Sequence, residues 1–209
     1  MINKNFSEIV DERRSANNFE EGVKISKDEL NEIFKEVALA PSCFNLQHAN
    51  YLVINNDSLK EVFREKACNQ YKVHTASAAI LVLGDKEAYK NAEKLYEPMK
   101  WLKIMDSIQY AQTVDAIYKL YESRGESFMQ EEAVRNGALS AMLFMLSAKN
   151  KGWDTCPMIG FDREETRKLF KIDDKYEIVL LITIGKEDQN NKRFRGYRKP
   201  IEEFVTYIE

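Results

Sequence analysis

Pro41-Ser42-Cys43-Phe44-Asn45-Leu46-Gln47-His48 is a loop by composition, and its flanks say what it joins. Upstream, residues 26–40 set Leu30, Ile33, Phe34 and Val37 at i, i+3, i+4 and i+7 behind a Ser26/Glu29 capping box. An amphipathic helix is expected there, and Pro41 stops it. Downstream, residues 51–54 (Tyr-Leu-Val-Ile) read as a strand. Asn45 and Gln47 lie on one side of the short extended stretch between them, as directed donors and acceptors for a hydrogen-bond-rich ligand. An Asx-type turn leading into the strand accounts for the same residues. Nearer the start, Arg13-Arg14-Ser15 offers two guanidiniums and a hydroxyl to an anion; alone, this triplet is equally a solvated charge pair.

Working outward, Ser58 and Glu61 repeat the capping-box spacing and predict a helix through Leu59, Val62, Phe63 and Ala67. Residues 78–83 predict a buried strand. Between 86 and 127 charged residues alternate with Tyr89, Tyr96, Trp101, Tyr110, Tyr118 and Tyr121, which suits one or two helices with half-exposed faces. The aromatics there are expected to pack helices together, and the substrate-facing part is placed in the same segment. Residues 131–149 leave hardly any polar face, so a helix buried on nearly all sides is expected, with Lys149 and Lys151 at the negative end of its dipole and Gly152 as its stop. Asp162 and Glu165 cap a short helix to Phe170, and 177–184 is a second buried strand. There is no internal repeat or low-complexity linker.

The 209 residues suit one domain, 1–209, and 44% apolar with 31% charged residues is an ordinary soluble composition. Apolar runs such as 78–83 are too short to span a bilayer, and Met1-Ile2-Asn3-Lys4-Asn5 has no signal-like apolar stretch, so a cytoplasmic protein without membrane association is expected. A net charge of −3 gives no general attraction to nucleic acid, yet residues 186–199 carry Lys192, Arg193, Arg195 and Arg198. Cys43, Cys68 and Cys156 are too few and too scattered for a disulfide framework. With only His48 and His74 besides, no metal site is expected. The two histidines are read as loop hydrogen-bonders and the cysteines as small core residues, Cys43 excepted. No GxGxxG or P-loop occurs, so a phosphate would be held by side chains.

The order of the segments is more specific than any one of them. Arg13-Arg14-Ser15, a capped helix, Pro41-Ser42 with Asn45 and Gln47, a strand, a helix, then Asn69-Gln70-Tyr71-Lys72 and Thr75-Ala76-Ser77 ahead of a buried strand resemble the nitroreductase family. The resemblance continues through the apolar helix, Cys156-Pro157-Met158-Ile159-Gly160-Phe161-Asp162 and Arg198-Lys199-Pro200-Ile201-Glu202-Glu203, leaving out roughly 86–129. It implies an α+β fold, a central mostly antiparallel sheet flanked by helices, in a homodimer that exchanges segments. The tail 200–209, with Phe204, Val205, Tyr207 and Ile208, would lie on the partner.

The resemblance also implies FMN. Arg13, Arg14 and Ser15 would hold its phosphate and ribityl end, and Arg198 would complete the clamp, with Arg195 as a further candidate beside it. Asn69 and Lys72 would bond the flavin's polar edge, and the loop Pro157, Met158, Ile159 and Gly160 would bring a backbone N–H near Ile159 to the reactive nitrogen N5. Pro41, Ser42, Cys43 and Asn45 would reach the neighbouring subunit's FMN. Two positions depart from the family: Asn17 stands where an Arg or Lys near the flavin is usual, and Ala49, followed by Asn50, replaces an aromatic. The implied chemistry is ping-pong. NADH or NADPH gives a hydride to N5, and a small electron-poor acceptor such as a nitroaromatic or quinone then takes its place. The protein supplies orientation and charge, including Lys72, and no side-chain nucleophile. An enone, halogenated aromatic or free flavin as acceptor is the alternative within the fold. A non-catalytic flavin-binding or sensing protein is the alternative outside enzymes, and nucleic-acid binding through 186–198 is disfavoured by the acidic total charge.

Overall fold

The computed structural model describes residues 5–192 and 194–208. Met1 to Lys4, Arg193 of the basic segment and Glu209 of the tail lie outside the described residues. The architecture is set by the apolar run at 78–83, which extends into strand β2 (Ala78–Asp85), buried along its whole length. It pairs antiparallel with β1 (Ala49–Ile54) on one side and β4 (Tyr176–Gly185) on the other, and β3 (Asp154–Met158) closes the far edge. The order β1-β2-β4-β3 makes an antiparallel sheet, to which Ser15 adds one parallel bridge at Thr155.

Period 2 splits the central strand between two layers. Ala78, Ile80 and Val82 face helix α2 (Lys27–Val37) and the second half of helix α6 (Ser107–Asn150), packing on Ile33, Phe144 and Ala148. Ala79, Leu81 and Leu83 face helix α3 (Asp57–Phe63), α4 (Tyr71–Thr75) and α7 (Arg163–Phe170) through Phe63, Val73 and Leu169. Because both faces are covered, the central strand shows no polar alternation.

The Ser26/Glu29 capping box forms: Glu29 N–H donates to Ser26 Oγ at 3.1 Å and Ser26 N–H to Glu29 Oε2 at 2.9 Å. The second expected box does not. Helix α3 is capped by Asn56, whose Oδ1 accepts from Leu59 N–H at 3.0 Å, and Glu61 turns outward to Arg64 and His74. Asn at the N-cap competes at least as well as Ser, and here it sits two residues earlier.

The apolar stretch 131–149 is the second limb of α6, which runs from Ser107 through a break at Gly125, where φ is +74° and ψ −169°. That conformation is open to glycine and strained for other residues. The first limb packs Val114, Ile117 and Tyr121 against helix α5 (Ala92–Trp101), Tyr89 and Leu46, so the aromatic segment is mainly helix packing. Trp101, Leu102 and Ile104 at its tip are exposed. The second limb comes so close to β2 that a Cβ on Gly84 would fall on the carbonyl of Ala133. Its sides toward the sheet and toward α2 are enclosed. Val134, Leu139 and Met142 are 39%, 48% and 41% exposed, which corrects the expectation of burial all round. A helix on one face of a sheet covers one side, and the apolar stripe opposite is left to some other surface. Trp153 N–H returns to Ala148 O at 2.9 Å beyond Gly152 (φ +79°), which ends the helix as expected.

Candidate functional site

Strand β3 is the line along which the site assembles. Its sequence, Asp-Thr-Cys-Pro-Met, has no β-branched run and contains a proline, so it does not announce a strand; at a sheet edge the missing N–H of Pro157 costs little. Thr155 receives the N-terminal segment, Ala16 N–H donating to its carbonyl at 3.0 Å beside the Ser15 bridge. At Cys156, Sγ lies 3.4 Å from Lys72 Nζ, which α4 carries in. Past Pro157 and Met158, Ile159 is exposed and Gly160 lies against Gln70, so the 69–72 segment follows the strand's exit. Asn69 takes a left-handed conformation (φ +46°) and its N–H closes the π-helical turn Arg64–Cys68 on Arg64 O at 2.7 Å.

The arginines separate into two kinds. Arg13 is half-buried near Arg195 and Arg198, and its pKa is lowered, first by burial and then by those two guanidiniums. Arg195 donates to the carbonyls of Val10, Asp11 and Arg13, fastening the tail to the end of helix α1 (Phe6–Glu12). Arg198 Nη1 donates to the carbonyls of Gly196 and Tyr197. Clustered cations of this kind are stabilised by an anion placed among them. Arg14 instead pairs with Glu187 at 2.5 Å, a carboxylate only 3% exposed that also accepts from Asn17 N–H at 3.3 Å. Asn17 Nδ2 donates to Asn191 O at 3.2 Å, so this residue braces the start of the tail. Sequence reading passed over Glu187; its one signal is an acid opening a basic segment directly after a buried strand.

Removing one partner of a buried pair leaves the other charge desolvated. Arg14→Ala is therefore expected to cost about 3 kcal/mol of apoprotein stability, measurable in urea unfolding, with little dependence on added FMN. Unchanged stability would make the Glu187 pair incidental.

The Pro41 loop lies elsewhere. Ser42 holds it closed, its Oγ accepting from Gln47 N–H and its carbonyl from Asn45 N–H, both at 2.9 Å. Phe44, Asn45 and Gln47 all have φ near +50°, a conformation non-glycine residues hold only when their surroundings impose it. Those surroundings include Asn136, whose Oδ1 accepts Cys43 N–H at 2.8 Å, and Tyr96, whose hydroxyl donates to Phe44 O at 2.9 Å. A cleft of about 360 Å³ opens between the end of α2, Pro41, Ser42 and Tyr51. His74 bonds Glu61 at 2.9 Å but from helix α4, which corrects its expected place in a loop, whereas His48 is in the loop, fully buried and 3.0 Å from the Tyr121 hydroxyl.

Burial pushes His48 down to about 4. Its unfolded-state pKa is near 6.5, so between those two values the unfolded chain binds a proton that the folded chain refuses. Stability should fall as pH drops from 6.5 to 4, by up to about 3 kcal/mol. His48→Gln should flatten that slope in pH-resolved denaturation; an equally steep profile in the variant would assign the acid loss to other groups.

Register fixes the distance between the two regions. Ala49 shares a row with Gly84 and Glu177, while Cys156 shares one with Thr183, Ala79 and Ile54. Five residues along at ~3.3 Å and three strands across at ~4.8 Å put the corners on the order of 20 Å apart. Within one chain the Pro41 loop and the Arg13 cluster do not meet.

The family model described as the Nitroreductase family matches residues 10–186. A Bacillus subtilis protein named as an NAD(P)H nitroreductase, MhqN, is 53% identical over 203 residues, 97% of this chain and 98% of its own. A solved nitroreductase-like structure from Bacillus subtilis, YdfN, superposes with a TM-score of 0.94 at 52% identity, covering 97% of this chain and 98% of that one. A structure from Exiguobacterium sibiricum, named as a nitroreductase in complex with FMN, gives 0.90 at 33% identity, with 98% of each chain covered. The chain belongs to the nitroreductase family, and is an oxidoreductase of the FMN and NAD(P)H type. Among the described residues no helix is long and apolar enough to cross a membrane.

Proposed function

We propose that the chain works as a homodimeric, cytoplasmic NAD(P)H oxidoreductase acting on nitroaromatics, quinones or similar small electron-poor acceptors. The single observation that carries the reading is the half-buried Arg13 among Arg195 and Arg198, a cation cluster that fits a phosphate. Arg13, Ser15 and Arg198 would hold the FMN phosphate and ribityl end, with Arg195 binding the tail in place. Arg14 and Asn17, engaged by Glu187 and Asn191, would support the site as scaffold. Asn69 and Lys72 would bond the flavin's polar edge, and Pro157, Met158, Ile159 and Gly160 would present backbone N–H near N5. Pro41, Ser42, Cys43 and Asn45 would complete the partner's site.

Bound FMN would supply hydride transfer from NADH or NADPH to the acceptor. The chain's own contribution is placement and charge. The Lys72 ammonium, close to Cys156, favours negative charge at the polar edge, and with Asn17 in place of a base it is the cation expected to tune the site. The strained loop and the exposed tip at Trp101 would exclude water above it. The three cysteines are unpaired, as suits a reducing compartment.

The test is one absorbance experiment on the purified protein under argon. A flavin spectrum bleached by NADH or NADPH and restored by menadione or a nitrobenzoate supports the reading. Bound flavin that neither nucleotide bleaches would point to a binding or sensing role, and a protein that takes up no FMN would end the proposal.

A further inference from the structure

A buried hydrogen-bonded chain connects the Pro41 loop to both limbs of α6, and its centre is Glu132, 2% exposed. On one side Tyr121 donates its hydroxyl to Glu132 Oε2 at 3.5 Å and stands 3.0 Å from His48 Nε2. On the other, Asn136 Nδ2 donates to Glu132 O at 2.7 Å and to Oε2 at 3.3 Å, which turns Asn136 Oδ1 toward Cys43 N–H at 2.8 Å. Arg135 pairs with Glu132 Oε1 from the exposed side.

Donor and acceptor roles then follow. An ionised carboxylate only accepts, so Tyr121 gives its proton to Glu132 and receives one from His48 Nε2–H. This leaves His48 Nδ1 as the lone pair, and it is buried without a partner among the described residues. The order of donors therefore runs from both ends of the loop, His48 and Cys43, inward to one carboxylate. Tyr121 precedes the Gly125 break and Glu132 follows it, so the same contact also fixes the angle between the limbs. Tyr121 stacks on Tyr89 at 5.0 Å and meets Phe128 edge-on at 5.2 Å, which ties the aromatic packing beneath α5 to the same point.

We propose that Glu132 is a positioning residue that couples the 42–48 loop to the 92–121 helical segment and so sets which acceptors fit between them. The inference rests on the reading that the loop faces the partner's cofactor. Nothing in it asks Glu132 to touch substrate. Because NADH and the acceptor occupy the same place in turn, the binding of both should be sensitive to it, whereas the limiting rate of flavin reduction at saturating NADH should hold.

The experiment compares Glu132→Ala, Glu132→Gln and Tyr121→Phe with wild type, all as FMN-loaded protein. Hydrogen exchange of the peptides covering 42–48 and 92–121 is followed by mass spectrometry, and the two half-reactions are measured separately with NADH and with menadione or a nitrobenzoate. In Glu132→Ala both peptides should exchange faster by about tenfold, the effect of losing one buried hydrogen bond. The acceptor KM should rise similarly while the limiting rate of flavin reduction at saturating NADH holds. Glu132→Gln keeps an acceptor oxygen for Tyr121 and should restore most of both, and Tyr121→Phe, which retains the ring packing, should move both in the same direction by less. A loss of melting temperature with unchanged exchange in the two peptides and an unchanged KM, in either Glu132→Ala or Tyr121→Phe, would overturn the coupling; so would a Gln variant as impaired as Ala. Failure of wild type to take up FMN would instead sink the functional reading, and the exchange measurements, which need no turnover, would still decide the coupling.

Discussion

Replacing Arg13 with Ala is expected to raise the FMN dissociation constant roughly 10- to 100-fold, equivalent to about 1.5–3 kcal/mol, while riboflavin binding changes little. Arg13 is held near Arg195 and Arg198 in a partly dehydrated position, and its lowered pKa records the cost of keeping a third cation there. A phosphate dianion removes that cost and adds charge-assisted hydrogen bonds, whereas riboflavin has no phosphate to collect them. Arg198→Ala should show the same discrimination, and in both variants FMN should dissociate further as salt is raised. Arg13→Lys should fall between, since an ammonium keeps the charge and loses the fork of donors. Isothermal titration with both ligands is the measurement. Equal weakening of FMN and riboflavin would place Arg13 away from the phosphate, and wild-type affinity for FMN in the variant would remove it from the site.

That Arg13 and Arg14 part company shows where sequence reading reaches its limit. Their triplet is legible as an anion site because the residue types are right. What is not legible is that Arg14 is claimed by Glu187, 173 positions away, because that pairing exists only once β4 has carried Glu187 beside the N-terminal segment. Local signals fared better where the physics is local. The Ser26 box and the largely apolar β2 and β4 depend on neighbours in sequence, and they stand as expected, while α2 ends at Val37, ahead of Pro41. Strand β3 fails the same test, since an edge strand of five residues with a proline has no periodicity to show. The Asn56 cap was missed because two capping residues lay two positions apart and the spacing alone did not choose. For the helix at 131–149 composition called for burial on nearly all sides and could not say that the sheet and α2 leave Val134, Leu139 and Met142 exposed.

The unclaimed stripe bears on the second large effect. Val134, Leu139 and Met142 on α6 and Phe204, Tyr207 and Ile208 on the tail are exposed on the single chain, more apolar surface than scattered residues require. A homodimer would cover both, and a two-fold axis would bring the Pro41 loop of one subunit to the Arg13 cluster of the other, which register keeps on the order of 20 Å apart within a chain. Each FMN site would then draw on two chains. Mixing an Arg13→Ala/Arg198→Ala chain with a Ser42→Ala/Asn45→Ala chain, each poor in FMN alone, tests this. In the heterodimer one site collects all four substitutions and the other none, so FMN should return to half of the sites, read from flavin absorbance per purified, differently tagged heterodimer. Truncation after Pro200 should weaken the dimer and release FMN together, seen by size-exclusion chromatography with absorbance at the flavin band. If confirmed heterodimers recover no FMN, the Pro41 loop and the Arg13 cluster do not serve one cofactor, and the strained conformations at Phe44, Asn45 and Gln47 must be explained by the loop's own packing on Asn136 and Tyr96.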